Sequence, residues 1–212
     1  MPLTFRFAVA ILGLSLLIPP HVTGAALDIP LVEAAKQGDT RAVRALLDKL
    51  DDDDSLDVNT AEADGTTALH WAVRLDSLDV TDLLIAAGAD VMAANAFDIT
   101  PLSLAAVNGN PAMIERLLAA GADPNATTAE GDAVILTAAR TGRADAIRTL
   151  VAHGADVNVT QGAGHTPLMW AAAEGHVEAM QALIDAGAVV AARSVVPKSP
   201  LRTGLAGPAP HG

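Results

Sequence analysis

Residues 98–126 read DITPLSLAAVNGNPAMIERLLAAGADPNA, and the same pattern returns before and after them at a fixed step. Thr67, Thr100 and Thr166 fall on steps of 33 residues, with Ala133 on the step between the last two. Gly88, Gly121, Gly154 and Gly187 keep the step of 33, each followed by Ala. A constant period over four units marks a stacked-repeat solenoid, and every other residue is read within that register. A Thr hydroxyl at a helix N-cap accepts an otherwise unpaired backbone N–H, and Pro at the next position gives up an N–H that had no partner. Thr100-Pro101 and Thr166-Pro167 are therefore predicted helix starts. Leu102, Ala105 and Ala106 share one face, and Gly109 follows where a left-handed residue can end the helix. A second helix is predicted from about Pro111, with Ile114, Leu117 and Leu118 inward and its end before Gly121. An Ala column (Ala34, Ala72, Ala105, Ala138, Ala171) allows close approach of neighbouring helices, and a Leu column (Leu46, Leu84, Leu117, Leu150, Leu183) fills the stack. One helix pair cannot bury its apolar face alone, so stability has to come from its neighbours.

TPLSLAA, TPLMWAA, the degenerate TALHWAV and AVILTAA, the paired-leucine helices, and GAD three times followed by GAV together resemble the ankyrin repeat over roughly residues 28–193. The resemblance implies an all-α solenoid of stacked helix-turn-helix units with short β-hairpin loops. The repeats fall at 28–59, 64–94, 97–127, 130–160 and 163–193. It also implies that His70, at the His position of the TPLH motif, is structural and hydrogen-bonds between adjacent loops. Three departures stand out. Asp76 occupies the place of the turn glycine, so that turn is expected to be less ideal. In repeat four, AVILTAA lacks both Thr and Pro, and Asp132 is expected to take over capping. Repeat five ends GAVVAAR, without the Asp and Asn that shape the other loops. Repeat one, with Leu31, Ala34, Ala35, Val43, Leu46 and Leu47 inward and Glu33, Lys36, Arg41 and Arg44 outward, suits a terminal cap.

The N-terminus carries a single basic residue, Arg6, then an apolar run, Phe7 to Ile18, then small residues near Gly24, Ala25 and Ala26. This pattern predicts a secretory signal peptide over residues 1–26 and a periplasmic or secreted mature chain. The run is too short for a membrane span, which needs about 20 apolar residues, so no membrane association is expected after cleavage. Cleavage removes Arg6 and no acid, moving the formal charge from −12 to −13. A chain this acidic repels nucleic-acid phosphates. No Cys is present, which excludes a disulfide-stapled fold. The segment 194–212, rich in Pro and Gly and free of acids, is expected to be a disordered tail.

Little in the sequence points to chemistry. Asp51 to Asp54 could suggest calcium, but the alternating acids, central Gly and closing Glu of an EF-hand loop are missing, so a solvated loop is the expectation. His165, Glu174 and His176 lack zinc-ligand spacing. QGAGHTP, residues 161–167, has no third Gly and falls on a repeat loop. No nucleophile elbow or activated nucleophile is present, so the chain is read as a non-enzyme with no cofactor and no metal.

The ankyrin resemblance implies a concave face built from hairpin tips and the exposed side of each first helix, with protein as the partner. By register that face carries Asp64, Arg74 and Leu75 in repeat two; Phe97, Ile99, Val107 and Asn108 in repeat three; and Arg140 in repeat four. Phe97 is one of three Phe residues in the chain, the other two lying in the leader. An exposed aromatic among aliphatic neighbours with charges around it has the make-up of an interface centre. The expected function is a monomeric, non-catalytic protein-interaction module, resembling exported ankyrin-repeat proteins of bacteria. The alternative is an accessory region of an exported enzyme whose catalytic part lies in another chain or a C-terminal extension.

Overall fold

The computed structural model describes residues 30–50, 57–128 and 131–192. The predicted leader, Asp51 to Asp54 and the predicted tail lie outside them, as do Ala129 and Glu130. Five helix pairs follow one another: α1 (Pro30–Lys36) and α2 (Thr40–Leu47), α3 (Ala68–Arg74) and α4 (Leu78–Ala86), α5 (Pro101–Asn108) and α6 (Pro111–Ala119), α7 (Val134–Arg140) and α8 (Ala144–Ala152), α9 (Pro167–Ala173) and α10 (Val177–Asp185). The first helices stack in one layer, α1 on α3 on α5 on α7 on α9, and the second helices stack behind them in the order α2, α4, α6, α8, α10. The fold is the predicted all-helical repeat solenoid. Three of its loops each close on one isolated antiparallel bridge, Ala61 to Thr67, Thr127 to Ala133 and Gln161 to His165, with no longer strand pairing among the described residues.

The two columns form the core. Ala72, Ala105, Ala138 and Ala171 are fully buried, as are Leu84, Leu117, Leu150 and Leu183. The stack depends on having neighbours on both sides, and its ends show it: Leu46 and Leu47 in the first pair are only half-buried. At the other end Ile184 and Val190 are exposed, whereas the matching Val151 and Val157 of repeat four are half-buried and buried. Thr81 is a foreign residue within the core. Its register partners Val43, Ile114 and Ile147 are fully buried and apolar, and its own buried hydroxyl has no hydrogen-bond partner.

The caps follow chemistry that the sequence announces. Thr100 accepts from the Ser103 N–H at 3.3 Å, while the Ser103 hydroxyl accepts from the Thr100 N–H at 3.0 Å, a reciprocal box. Thr166 accepts from the Met169 N–H at 3.3 Å. Asn110 caps α6 by accepting from Ala112 at 2.9 Å, a role not read from the sequence. Asp132 does not cap α7, contrary to expectation. Its carboxylate is bonded to Gln161 of the next repeat and lies 3.6 Å from Arg140. Two of the first-turn donors of α7 are met by backbone instead: Val134 N–H reaches the Ala126 carbonyl at 3.2 Å, and Leu136 N–H the Ala133 carbonyl at 2.9 Å, in a tightened first turn.

At the turn between helices, Asp76 adopts φ 55°, the left-handed conformation that Gly109, Gly142 and Gly175 take in their repeats. Asp is one of the few side chains that tolerate this region, and here both carboxylate oxygens accept from the Asn110 amide at 2.9 Å. The strained turn thus doubles as a tie to the next repeat. Asp98, at φ 53°, stands where Gly65 and Gly131 stand in the neighbouring hairpins.

Candidate functional site

The hairpin tips and the open side of α3, α5 and α7 form a face whose residues are set by the 33-residue register. Repeat three supplies Phe97, Ile99, Leu104 and Val107. Repeat two supplies Asp64, Trp71 and Arg74 at corresponding places, and repeat four Asp132, Thr137 and Arg140. Phe97 is 68% exposed and Val107 46% exposed, while Ile99 is half-buried. Asn95 holds the hairpin tip in shape, its side-chain oxygen accepting from the backbone N–H of Phe97 at 3.0 Å and of Ile99 at 3.1 Å. The aromatic ring is therefore presented on a fixed backbone and is not packed away.

Two grooves flank it. One, of about 430 Å³, is lined by Phe97, Ile99, Leu104 and Val107 with Asp132 and Arg140 at its far side. The other, of about 350 Å³, lies between repeats two and three and is lined by Phe97, Ile99 and Leu104 together with Asp64, Trp71 and Arg74. Six of the eight residues predicted for the site line one groove or both. The remaining two stand apart: Leu75 is exposed at the end of α3, and Asn108 is used structurally. Its amide donates to the Val73 carbonyl at 2.8 Å, closing the end of the preceding repeat's helix.

His70 forms the floor between hairpins, as the resemblance implied. Its Nδ1 accepts from the Thr67 backbone N–H at 3.2 Å, so the ring proton resides on Nε2, which donates to the Ile99 carbonyl at 2.9 Å. Burial holds its pKa below the ordinary histidine value, since the charged ring would lose its water; the Ile99 carbonyl and the Asp64 charge oppose this more weakly. Asp64 is shifted down from the usual carboxylate range, chiefly because its oxygen accepts from the Thr66 N–H at 3.0 Å.

Trp71 is the residue that sequence reasoning missed. Its indole N–H donates to Glu62 at 2.7 Å, and Glu62 also takes Lys36 at 2.6 Å. That hydrogen bond holds the Lys36 pKa above its ordinary value. The Lys36 ammonium lies 5.0 Å and the Arg74 guanidinium 5.3 Å from the ring centroid, within cation–π range. The sole signal in the sequence was the presence of one of two Trp residues at the groove-facing place that Leu104 and Thr137 occupy one and two repeats later. Among the described residues no group of three or more His, Asp or Glu could hold a metal ion, and no helix is long and apolar enough to cross a membrane.

A family model described as ankyrin repeats (3 copies) matches residues 13–95 and 102–194. Alpha-latroinsectotoxin-Lt1a of Latrodectus tredecimguttatus is 40% identical over 78 residues, covering 37% of this chain and 5% of the toxin. Potassium channel AKT2/3 of Arabidopsis thaliana is 39% identical over 84 residues, covering 39% of this chain and 9% of the channel. The chain thus spans only a small part of either protein. Notch-regulated ankyrin repeat-containing protein A of Danio rerio is 33% identical over 82 residues, which is 39% of this chain and 72% of that protein. The chain belongs to the ankyrin-repeat family, whose repeats generally mediate protein–protein binding and are typically non-catalytic.

Proposed function

We propose that this chain is a non-catalytic, monomeric protein-binding module that acts in the cell envelope or after secretion and holds its partner on the concave face. The observation that carries the site is Phe97: the one aromatic of repeat three stands 68% exposed on a backbone held by Asn95, between two apolar grooves. Ile99 and Val107 extend the apolar centre, and Asp64, Arg74 and Arg140 supply its charged rim, the arrangement in which a central aromatic carries most of the binding energy. Leu75 and Asn108 flank the face outside the grooves. The export reading rests on the composition of residues 1–26, an apolar run after one basic residue and before small residues.

Two measurements test the two halves. Affinity capture from an envelope extract, with Phe97→Ala and Val107→Asp as separate baits, reads the site. Circular dichroism should be unchanged, while Phe97→Ala weakens capture by about 2 kcal/mol or more. Unfolding of either variant, or full capture by both, defeats the site. N-terminal sequencing of osmotic-shock protein reads the export, where a mature start between Ala25 and Leu27 is expected and an intact Met1 in the membrane pellet contradicts it.

A further inference from the structure

The two grooves beside Phe97 are one repeat apart, and that spacing selects among partner conformations. Stacked helices lie about 8–10 Å apart, so the grooves between repeats two and three and between repeats three and four are offset along the stack by roughly that distance. Along an α-helix, residues i and i+7 share a face and are about 10.5 Å apart. In a strand, residues on one face recur about every 6.8 Å, short of one groove step. A helix laid along the stack places side chain i in one groove and i+7 in the other, with the residues at i+3 and i+4 over the Phe97 ring.

The charges frame this axis on both sides. Arg74, Val107 and Arg140 occupy one register position in successive repeats, so the two arginines flank Val107 along the edge formed by the ends of α3 and α7. Among the described residues Arg74 has no carboxylate partner and rests on the Trp71 ring, with its fork of donors pre-positioned. Arg140 is ion-paired with Asp132 at 3.6 Å, longer than a hydrogen bond, and its other guanidinium N–H groups can still take a partner's carboxylate. Along the opposite edge, the hairpin tips carry the exposed Asp64 and Asp98, while Asp132 is drawn in to Gln161 and Arg140. The face is thus apolar in the middle, basic along one long edge and acidic along the other.

We propose that the concave face takes an amphipathic helix of a protein partner, with apolar side chains at i, i+3 or i+4, and i+7, acidic residues on the flank facing Arg74 and Arg140, and basic residues on the flank facing the hairpin tips. This rests on the concave-face reading above and adds the partner's conformation and charge order. Two displayed libraries test it. One randomises a face of a single-helix scaffold; the other holds linear peptides with a central proline, which cannot form that helix. Each is selected against the folded full chain, against Phe97→Ala, and against Arg74→Glu combined with Arg140→Glu, with circular dichroism confirming that every bait is folded. The expected result is enrichment of the helical library, at least tenfold weaker binding to Phe97→Ala, and an acidic flank that becomes basic when the arginines are reversed. Victory of the proline-containing library, or a flank indifferent to the arginine reversal, overturns the helix while leaving the concave-face reading standing. Clones that bind Phe97→Ala equally well, or no enrichment from either library, overturn both.

Discussion

Restoring the motif that repeat four lacks separates two effects that its sisters combine. Repeats three and five begin their first helices with Thr-Pro; repeat four begins α7 with Ala133-Val134. Ala133 already has the extended N-cap backbone, φ −69° and ψ 150°, close to the −92° and 162° of Thr166, so a Thr there can hold its hydroxyl over the first turn. An N-cap Thr contributes about 0.5–2 kcal/mol over Ala. The lower end applies here, because the Leu136 N–H that the hydroxyl would serve already donates to the Ala133 carbonyl at 2.9 Å. Ala133→Thr is expected to stabilise by about 0.5 kcal/mol. Val134→Pro fits sterically, since Pro101 and Pro167 are buried at the same register. However, it removes the Val134 N–H bond to the Ala126 carbonyl at 3.2 Å and should cost about 1 kcal/mol. The double variant should therefore be no more stable than the native chain, although it matches the family motif better. Urea unfolding followed by circular dichroism, with all three variants in parallel, reads the balance. A stabilising Val134→Pro, or a destabilising Ala133→Thr, would show that the first turn of α7 is not satisfied by backbone as described.

Three other perturbations follow from particular residues. Thr81→Val removes a buried hydroxyl without a partner at nearly constant volume and should raise stability by about 1 kcal/mol or more, read as a higher melting temperature; a lower one would mean the hydroxyl is bonded. Asn59, Asn125 and Asn158 each tie their loop to the next by accepting from a backbone N–H at 2.7–2.8 Å, whereas Met92 holds that place between repeats two and three. Met92→Asn should add about 1 kcal/mol and slow amide exchange at Asp123; unchanged exchange there would mean the tie does not form. His70 is neutral when folded, with its pKa depressed below 6.5, so the unfolded chain binds the proton first as pH falls. Its contribution is complete above the unfolded value and declines as pH drops below about 6.5 through the folded value. The stability difference between the native chain and His70→Gln should accordingly shrink from pH 8 to pH 5, and a constant difference would refute the neutral, Nε2-protonated ring.

The repeating unit and its register are legible in the chain alone. Thr-Pro starts, inward Ala and Leu columns and glycine stops are local signals, and five near-copies of one pattern reinforce each other, so periodicity suffices to put Ala72, Ala105, Leu117 and Leu150 in the core. Periodicity also puts Phe97, Ile99 and Val107 on the open face, because a helix or hairpin position that faces solvent in one repeat faces it in the next. What links one repeat to its neighbour is settled only by stacking. His70 to Ile99, Asn108 to Val73, Asp76 to Asn110 and Asp132 to Gln161 all join residues about one period apart. The Asp76–Asn110 and Asp132–Gln161 pairs are not periodic, since each depends on two side chains that vary independently between repeats. That is why Asp132, a cap by its position in the sequence, is an inter-repeat tie in the fold, and why the role of Trp71 emerges only with Lys36, Glu62 and Arg74 gathered around it. The grooves on either side of Phe97 likewise belong to no single repeat, because their walls are assembled only when the hairpins and inner helices stack.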